Sequence, residues 1–100
     1  MDGRAMDLAL NYLSGRDRSE LEMRRYLSRK GCGEEKIGEV IGRLRSYGYL
    51  NDEKYARMLV ESGAGPKALG RRAIAQKLYQ RGIHRDTAQT ALEAVGSETE

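Results

Sequence analysis

The heptapeptide YLSRKGC at residues 26–32 has a counterpart 51 residues further along the chain, KLYQRGI at residues 77–83. This shift places Leu27 on Leu78 and Gly31 on Gly82. Four more apolar positions coincide at the same shift: Met23 with Ile74, Ile37 with Ala88, Val40 with Ala91, and Ile41 with Leu92. Apolar positions that match at a fixed period indicate an internal repeat whose copies bury their apolar faces against their neighbours.

Within the first copy, apolar residues recur at intervals of three and four, which is the spacing of one face of an α-helix. Three such stripes are present: Ala5, Leu8, Ala9, Tyr12 and Leu13; then Leu21, Met23, Tyr26 and Leu27; then Ile37, Val40, Ile41 and Leu44. β-Branched residues are few and do not alternate with polar ones, which disfavours strands. We therefore predict an all-α chain with about six helices, arranged as two tandem three-helix repeats.

Residues typical of helix ends occur where these stripes begin and end. The segment SELE at residues 19–22 is a capping box, in which Ser19 and Glu22 each bond the backbone N–H of the other. Gly31 and Gly48 follow the last periodic residues of two stripes, where a left-handed cap favours a residue without a Cβ. The second and third helices of the first repeat are thereby delimited.

The first helices of the two copies align at a shift of 47, because a longer loop, ESGAGPKALG at residues 61–70, lies in the second copy. The predicted organisation is therefore repeat one over residues 1–50, repeat two over residues 51–95, and a polar tail over residues 96–100.

The segment YGYLND joins the two repeats, and three of the six tyrosines of the chain lie in or just after it. The residues predicted to form the inter-repeat junction are Tyr47, Gly48, Tyr49, Leu50, Asp52 and Tyr55. We expect Leu50 and Tyr55 to reach back onto the first bundle, with the Tyr55 ring buried between the repeats. Tyrosine suits such a junction because its ring packs while its hydroxyl stays hydrated.

Residues for catalysis are scarce. The chain contains one Cys and one His, Cys32 and His84, too few for a tetrahedral zinc site or a recognisable nucleophile–base pair. We expect Cys32 to be a small buried apolar residue and His84 to lie at a helix start. The segment GPKALGRR at residues 65–72 has the glycine spacing of a P-loop but lacks its Lys and Ser/Thr and a preceding strand. We predict a protein without enzymatic activity, metal or cofactor.

The same composition indicates the compartment. A single Cys fits a reducing environment, and no apolar run approaches the ~20 residues that a membrane span needs. The N-terminal segment MDGRAMDLAL lacks the long apolar region of a signal peptide. We expect a cytoplasmic protein that binds no small-molecule substrate.

Positive charge is concentrated unevenly. The net charge is +3, yet no acidic residue lies between Glu61 and Asp86. The residues that we predict to contact a partner or DNA are Lys67, Arg71, Arg72, Lys77 and Arg81 in this stretch, with Arg24, Arg25 and Arg29 in the first repeat. Two interpretations stay open: a solvated helix face whose long side chains cover the core, or a surface that binds phosphates or an acidic protein groove.

Three segments together resemble the RecX family, which comprises small modulators of the RecA recombinase. They are RSELEMRRYLSRKG at residues 18–31, YGYLNDEKYA at residues 47–56 and LYQRGI at residues 78–83. The middle segment is similar to the family pattern G-Y-L-[DN]-D-x-x-[FY]-A, and it agrees at Gly48, Tyr49, Leu50, Asn51, Asp52, Tyr55 and Ala56. The resemblance covers about residues 5–95, the first two of the three repeats usual in the family, so we expect either a truncated or a short member.

This resemblance implies a non-enzymatic modulator that binds in the groove of a RecA–DNA filament and regulates recombination, DNA repair and the SOS response. The alternative hypothesis is a helical module that binds nucleic acid directly and without sequence specificity. The two differ in a measurable way, since direct binding to phosphates depends steeply on salt in the absence of RecA.

Overall fold

The structure of the chain is a computed structural model that describes residues 3–63 and 70–98. Six helices lie within these ranges: α1 (Gly3–Gly15), α2 (Glu20–Arg29), α3 (Glu34–Ser46), α4 (Asp52–Gly63), α5 (Arg71–Gln80) and α6 (Arg85–Glu98). The described residues contain no strand, and the prediction of an all-α fold is confirmed.

The chain divides into two compact units of three helices each, unit 1 (Met1–Asn51) and unit 2 (Asp52–Glu100). The division lies one residue beyond the predicted end of the first repeat at residue 50. Helix α6 continues to Glu98, and so enters the segment 96–100 that we expected to be a polar tail.

Each unit has its own apolar core, built from the repeated positions. In unit 1 the core residues are Ala5, Ala9, Met23, Leu27, Ile37, Val40, Ile41, Leu44 and Leu50. In unit 2 they are Tyr55, Ala56, Val60, Ile74, Leu78, Ile83, Ala88, Ala91 and Leu92. Five of the pairs that the 51-residue shift aligns are buried in both units: Met23 with Ile74, Leu27 with Leu78, Ile37 with Ala88, Val40 with Ala91, and Ile41 with Leu92. The repeat in the sequence is thus a repeat of core positions.

Two expectations about apolar stripes need correction. Leu21 belongs to the periodic stripe of α2, but it lies in the first turn of that helix and is 37% exposed. Cys32 is half-buried at the margin of the unit 1 core, whereas we expected it to be buried like its counterpart Ile83.

The second helix of each unit ends in the same left-handed glycine turn. Gly31 has a φ of 88° and Gly82 a φ of 83°, which side chains with a Cβ rarely adopt. In unit 2 the N–H of Gly82 bonds the carbonyl of Tyr79 at 3.0 Å, and that of Ile83 bonds the carbonyl of Leu78 at 3.0 Å. These two bonds make a Schellman motif, which satisfies the last carbonyls of α5 and turns the chain toward the next helix.

Unit 1 has two turns of this kind. After α2, Gly31 and Cys32 donate to the carbonyls of Ser28 and Leu27. After α3, Gly48 has a φ of 81°, and the N–H of Tyr49 donates to the carbonyl of Leu44 at 2.9 Å. The prediction of left-handed caps at Gly31 and Gly48 is confirmed.

The predicted capping box at the start of α2 is also confirmed. The N–H of Glu22 donates to the Ser19 hydroxyl at 3.1 Å, and the N–H of Ser19 donates to the Glu22 carboxylate at 2.9 Å. Ser19 is fully buried, so its hydroxyl and N–H need these partners.

A stack of four side chains joins α1 to α2. The rings of Tyr12 and Tyr26 lie parallel, with centroids 4.0 Å apart. The guanidinium of Arg18 covers the outer face of this pair, 3.9 Å from the centroid of Tyr12, while its Nε donates to the carbonyl of Tyr12. Lys30 places its ammonium 5.6 Å from the centroid of Tyr26. Aromatic stacking and cation–π attraction therefore add to the apolar contacts between these helices.

An ion pair joins α2 to α3 on the surface of unit 1. The guanidinium of Arg45 donates to both carboxylate oxygens of Glu20, at 2.7 and 2.8 Å. These bonds hold the pKa of Glu20 below its ordinary value of 4.5, although partial burial opposes them. The charged form of Glu20 is therefore favoured in the folded state.

The first prediction compares two glycines of unit 1. A Cβ would have open space at both Gly31 and Gly38, so a substitution there tests the backbone alone. Gly31→Ala should destabilise the fold by about 1–2 kcal/mol because of its left-handed φ. Gly38→Ala, in the interior of α3, should stabilise it by about 1 kcal/mol. Chemical denaturation followed by circular dichroism measures both, and a change of the same sign in both variants would refute the explanation.

The second prediction concerns burial of tyrosine. Tyr55 is only 5% exposed in the core of unit 2. Tyr55→Ala should therefore lower the free energy of unfolding by about 3 kcal/mol. Tyr49→Ala is the matched control, because Tyr49 is exposed, and it should change stability by no more than about 0.5 kcal/mol. Equal thermal midpoints for the two variants would contradict this assignment of the core.

The third prediction follows from the lowered pKa of Glu20. A carboxyl whose pKa is lower in the folded state contributes stability above its unfolded pKa and loses it as the pH falls through the folded pKa. Arg45→Met should therefore reduce the urea midpoint at neutral pH, and the difference from the parent should shrink as the pH falls below 4.5 and through the lowered pKa of Glu20. Arg43→Met is the control, because Arg43 forms no salt bridge with the described residues. A deficit that is constant across this pH range would show that Glu20 is not involved.

Candidate binding surfaces

The exposed side of α2 carries three of the predicted site residues. Arg24, Arg25 and Arg29 are exposed, while Met23 and Leu27 on the opposite side fill the core. The three arginines line a shallow surface depression together with Ser28, Glu34 and Ile37. The structure thus brings Arg24, Arg25 and Arg29 together, and this group is the α2 basic face.

Three other cations of unit 1 are engaged inside the unit. Arg45 bonds Glu20, Arg16 bonds Glu22 at 2.8 Å, and Arg18 stacks on Tyr12. By contrast, no salt bridge to the described residues is formed by Arg24, Arg25 or Arg29. The α2 basic face is therefore available to an external anion.

Helix α5 carries three of the predicted site residues of unit 2. Arg71, Arg72 and Lys77 are exposed, and they form no salt bridge with the described part of the chain. Arg71 and Arg72 lie in the first turn of α5 and Lys77 in its last turn, and we call these three exposed cations the α5 basic face. Lys67, which we predicted to belong to the same surface, lies outside the described residues.

Arg81 differs from the other predicted contact residues. It is half-buried at the end of α5, and its guanidinium donates to the hydroxyl of Tyr55 at 3.4 Å. Arg81 is therefore bonded within unit 2, and it does not belong to the α5 basic face.

The two repeats differ most at the start of their second helices. At the 51-residue shift, Ser19, Glu20 and Glu22 of the capping box correspond to Gly70, Arg71 and Ala73. Gly70 is the N-cap of α5 and provides no side-chain bond, and the first turn of α5 contains no acid. Arginine at a helix N-terminus is electrostatically unfavourable, because the backbone dipoles make that end positive. At the start of its second helix, unit 2 therefore carries hydrogen-bond donors and positive charge. Unit 1 has a capping box with acidic side chains at the same place.

The junction residues separate into buried and exposed groups. Leu50 is buried in the core of unit 1, Asp52 is the first residue of α4, and Tyr55 is buried in the core of unit 2. The prediction that Tyr55 is largely buried is confirmed. Its surroundings are corrected: the core that encloses it is that of unit 2, not the first bundle.

Two of the three junction tyrosines have exposed rings. Tyr47 is 61% exposed and Tyr49 is 56% exposed, and their rings are tilted at 60° with centroids 5.8 Å apart. Sequence reasoning missed this exposed pair, since periodicity alone assigns aromatics at a helix junction to the core. The Schellman turn at Gly48 could have indicated it, because such a turn redirects the following side chains.

Residues 3–63 and 70–98 contain no group of three or more His, Cys, Asp or Glu side chains that could hold a metal ion. No helix in the same ranges is both long enough and apolar enough to cross a bilayer. His84 precedes α6, and its Nδ1 accepts from the N–H of Asp86 at 3.2 Å, as expected of a residue at a helix start.

Family models match both units. The model described as "RecX, first three-helix domain" matches residues 5–44, and that described as "RecX, second three-helix domain" matches residues 51–92. Both matched segments coincide with the helices that form the two cores.

Individual proteins agree with the models. The chain is 36% identical over 90 residues to the regulatory protein RecX of Oceanobacillus iheyensis, which covers 90% of this chain and 33% of that protein. It is 35% identical over 97 residues to that of Clostridioides difficile, which covers 97% of this chain and 45% of that protein. The chain thus spans less than half the length of these curated relatives.

Among solved structures, RecX from Lactobacillus salivarius superposes with a TM-score of 0.88 at 29% sequence identity, covering 93% of this chain and 60% of that one. A further RecX crystal structure superposes with a TM-score of 0.83 at 27% identity, covering 93% of this chain and 47% of the other. Together with the two matched domain models and the repeated three-helix cores, these similarities show that the chain belongs to the RecX family.

Proposed function

We propose that this protein is a non-enzymatic modulator of the RecA recombinase, which binds the RecA–DNA filament in its groove and so regulates recombination and DNA repair. Membership of a family of regulatory proteins supports a regulatory role. The proposed contacts are the α2 and α5 basic faces, which would meet the anionic surface of the filament.

The observation that carries the proposal is the placement of Arg71 and Arg72. They occupy the first turn of a helix whose N-cap offers no side-chain bond. Two cations at this end lower the stability of α5 in the free protein, and an anion placed there would be attracted by both guanidinium groups and by the exposed N–H groups of the helix. The equivalent turn of unit 1 has the stabilising arrangement, so the repeat architecture does not require the arginines.

The α2 basic face adds a second contact of the same sign. Arginine presents donors in a fork that fits phosphate and carboxylate oxygens alike. A filament offers both groups, on the DNA backbone and on acidic protein side chains. Two separate basic faces suit a long repetitive partner, since each adds to the effective concentration of the other at the filament.

A second candidate function is direct binding of nucleic acid without sequence specificity. The acid-free stretch between Glu61 and Asp86 favours it, because phosphate contacts need cations that are not opposed by neighbouring carboxylates. A salt series in the absence of RecA separates the two functions.

The fourth prediction tests the α5 basic face through the double variant Arg71→Glu/Arg72→Glu. Binding to RecA–DNA filaments should fall by about tenfold or more, since two attractive contacts become repulsive. Stability should rise slightly, by about 0.3–1 kcal/mol for each acid at the helix N-terminus. Fluorescence anisotropy across a salt series measures binding, and urea denaturation measures stability.

The matched control is Arg43→Glu/Arg57→Glu, which makes the same change in net charge at exposed positions outside the two basic faces. It should bind filaments nearly as the parent does. Equal losses for both double variants would mean that only net charge matters, and no loss for Arg71→Glu/Arg72→Glu would remove the α5 basic face from the site. Undiminished, steeply salt-dependent binding of the parent to DNA alone would favour the second candidate function.

A further inference from the structure

Unit 1 carries a depression that shares no residue with the α2 basic face. It lies between α1 and the turn that follows α3, and it is lined by Leu10, Leu13, Ser14, Asp17, Gly48 and Tyr49. We call it the tyrosine depression.

The tyrosine depression has a mixed lining, in which Leu10, Leu13 and Tyr49 supply the apolar part and Ser14 and Asp17 the polar side chains. Leu10 is 41% exposed, a large value for a leucine in a helix, and the neighbouring Tyr49 is more exposed still. Tyr47 extends the apolar surface beyond the depression, because its ring lies against that of Tyr49. Tyrosine is one of the residues enriched among those that dominate protein–protein binding energy.

The backbone at Tyr49 is held in place before any partner arrives. Its N–H bonds the carbonyl of Leu44, and the preceding Gly48 has the left-handed φ that closes the Schellman turn. A tyrosine held in this way loses little conformational freedom on binding, so more of its contact energy becomes affinity.

The charge of the depression is acidic. Asp17 lies on its margin and forms no salt bridge with the described residues. Arg16 lies beside Asp17 and donates to its backbone carbonyl at 2.8 Å, but the carboxylate with which Arg16 pairs is that of Glu22, and Arg18 stacks on Tyr12. A second exposed acid, Asp7, precedes Leu10 by three residues on α1, which places the two side by side on the helix surface.

We propose that the tyrosine depression binds a peptide segment of a partner protein, one that places an apolar side chain between Leu10 and Tyr49 and a Lys or Arg beside Asp17. The apolar walls take the anchor, and the carboxylate selects the cation next to it. The charge of this surface is opposite to that of the basic faces. The protein would therefore bind anionic groups at the basic faces and a cationic peptide at the tyrosine depression.

Nucleic acid fits this surface less well. Nucleobases stack on exposed tyrosines, but the phosphates that accompany them would be repelled by Asp17 and Asp7. The hydroxyl of Ser14 is not available as a phosphate donor, because it donates to the carbonyl of Asn11 at 2.6 Å. The acidic margin therefore favours a basic peptide.

Nuclear magnetic resonance of the ¹⁵N-labelled chain tests the proposal without RecA or DNA, so its outcome is independent of the proposed function. Three probes are titrated: the capped peptide Gly-Gly-Leu-Arg-Gly-Gly, the same peptide with Glu in place of Arg, and a thymidine decanucleotide. The Arg peptide should shift the amide signals of Leu10, Ser14, Asp17, Gly48 and Tyr49, with a dissociation constant on the order of 1 mM, as expected for a single anchor. The Glu peptide should bind roughly tenfold more weakly.

Two variants assign the contacts. Tyr49→Ser should abolish the shifts caused by the Arg peptide, and Asp17→Asn should weaken its binding roughly two- to fivefold while leaving the Glu peptide no weaker than before. Circular dichroism checks folding, and Leu10→Ser replaces Tyr49→Ser if that variant does not fold. Equal binding of the two peptides, an absence of shifts at these residues with the Arg peptide, or shifts caused there by the oligonucleotide would each overturn the proposal.

Discussion

The left-handed glycine after the second helix is the constraint on which each three-helix unit depends. At Gly31 and Gly82 the chain must leave one helix, satisfy its last carbonyls and enter the next helix within a few residues. Only a residue without a Cβ adopts the required φ at low cost. This turn sets the direction of the third helix, and with it the side from which Ile37, or Ala88 in unit 2, enters the core.

Once the turn is fixed, the two cores are built from equivalent positions with different volumes. Unit 1 places Ile37, Val40 and Ile41 on its third helix, whereas unit 2 places the smaller Ala88 and Ala91 beside Leu92. On its first helix unit 2 has the larger residue, since Tyr55 occupies the position that the half-buried Leu8 occupies in unit 1. Redistribution of volume among repeated positions lets both cores fill while keeping one backbone plan.

The two repeats differ in the charge of their exposed residues, and the proposed binding contacts lie at those positions. In unit 1 several cations are held within the unit, by carboxylates or by an aromatic ring. In unit 2 the capping box has given way to Gly70 followed by two arginines, which gain nothing from the helix that they begin. A repeat thus keeps the residues that fold it and changes exposed residues, which is where we propose that a partner binds.

The sequence by itself determined the helices, the repeat and the caps, because these depend on neighbours within about four residues: the spacing of Met23 and Leu27, the capping box at residues 19–22, and the glycines that end the helices. It also identified Arg24, Arg25, Arg29, Arg71, Arg72 and Lys77 as cations on exposed helix faces. Only the tertiary structure decided which core takes Tyr55, that Tyr47 and Tyr49 face outward, and that Arg81 is bonded to a hydroxyl 26 residues away. Such contacts join residues far apart in the chain, and periodicity gives the side of a helix on which a residue lies but not what lies opposite it.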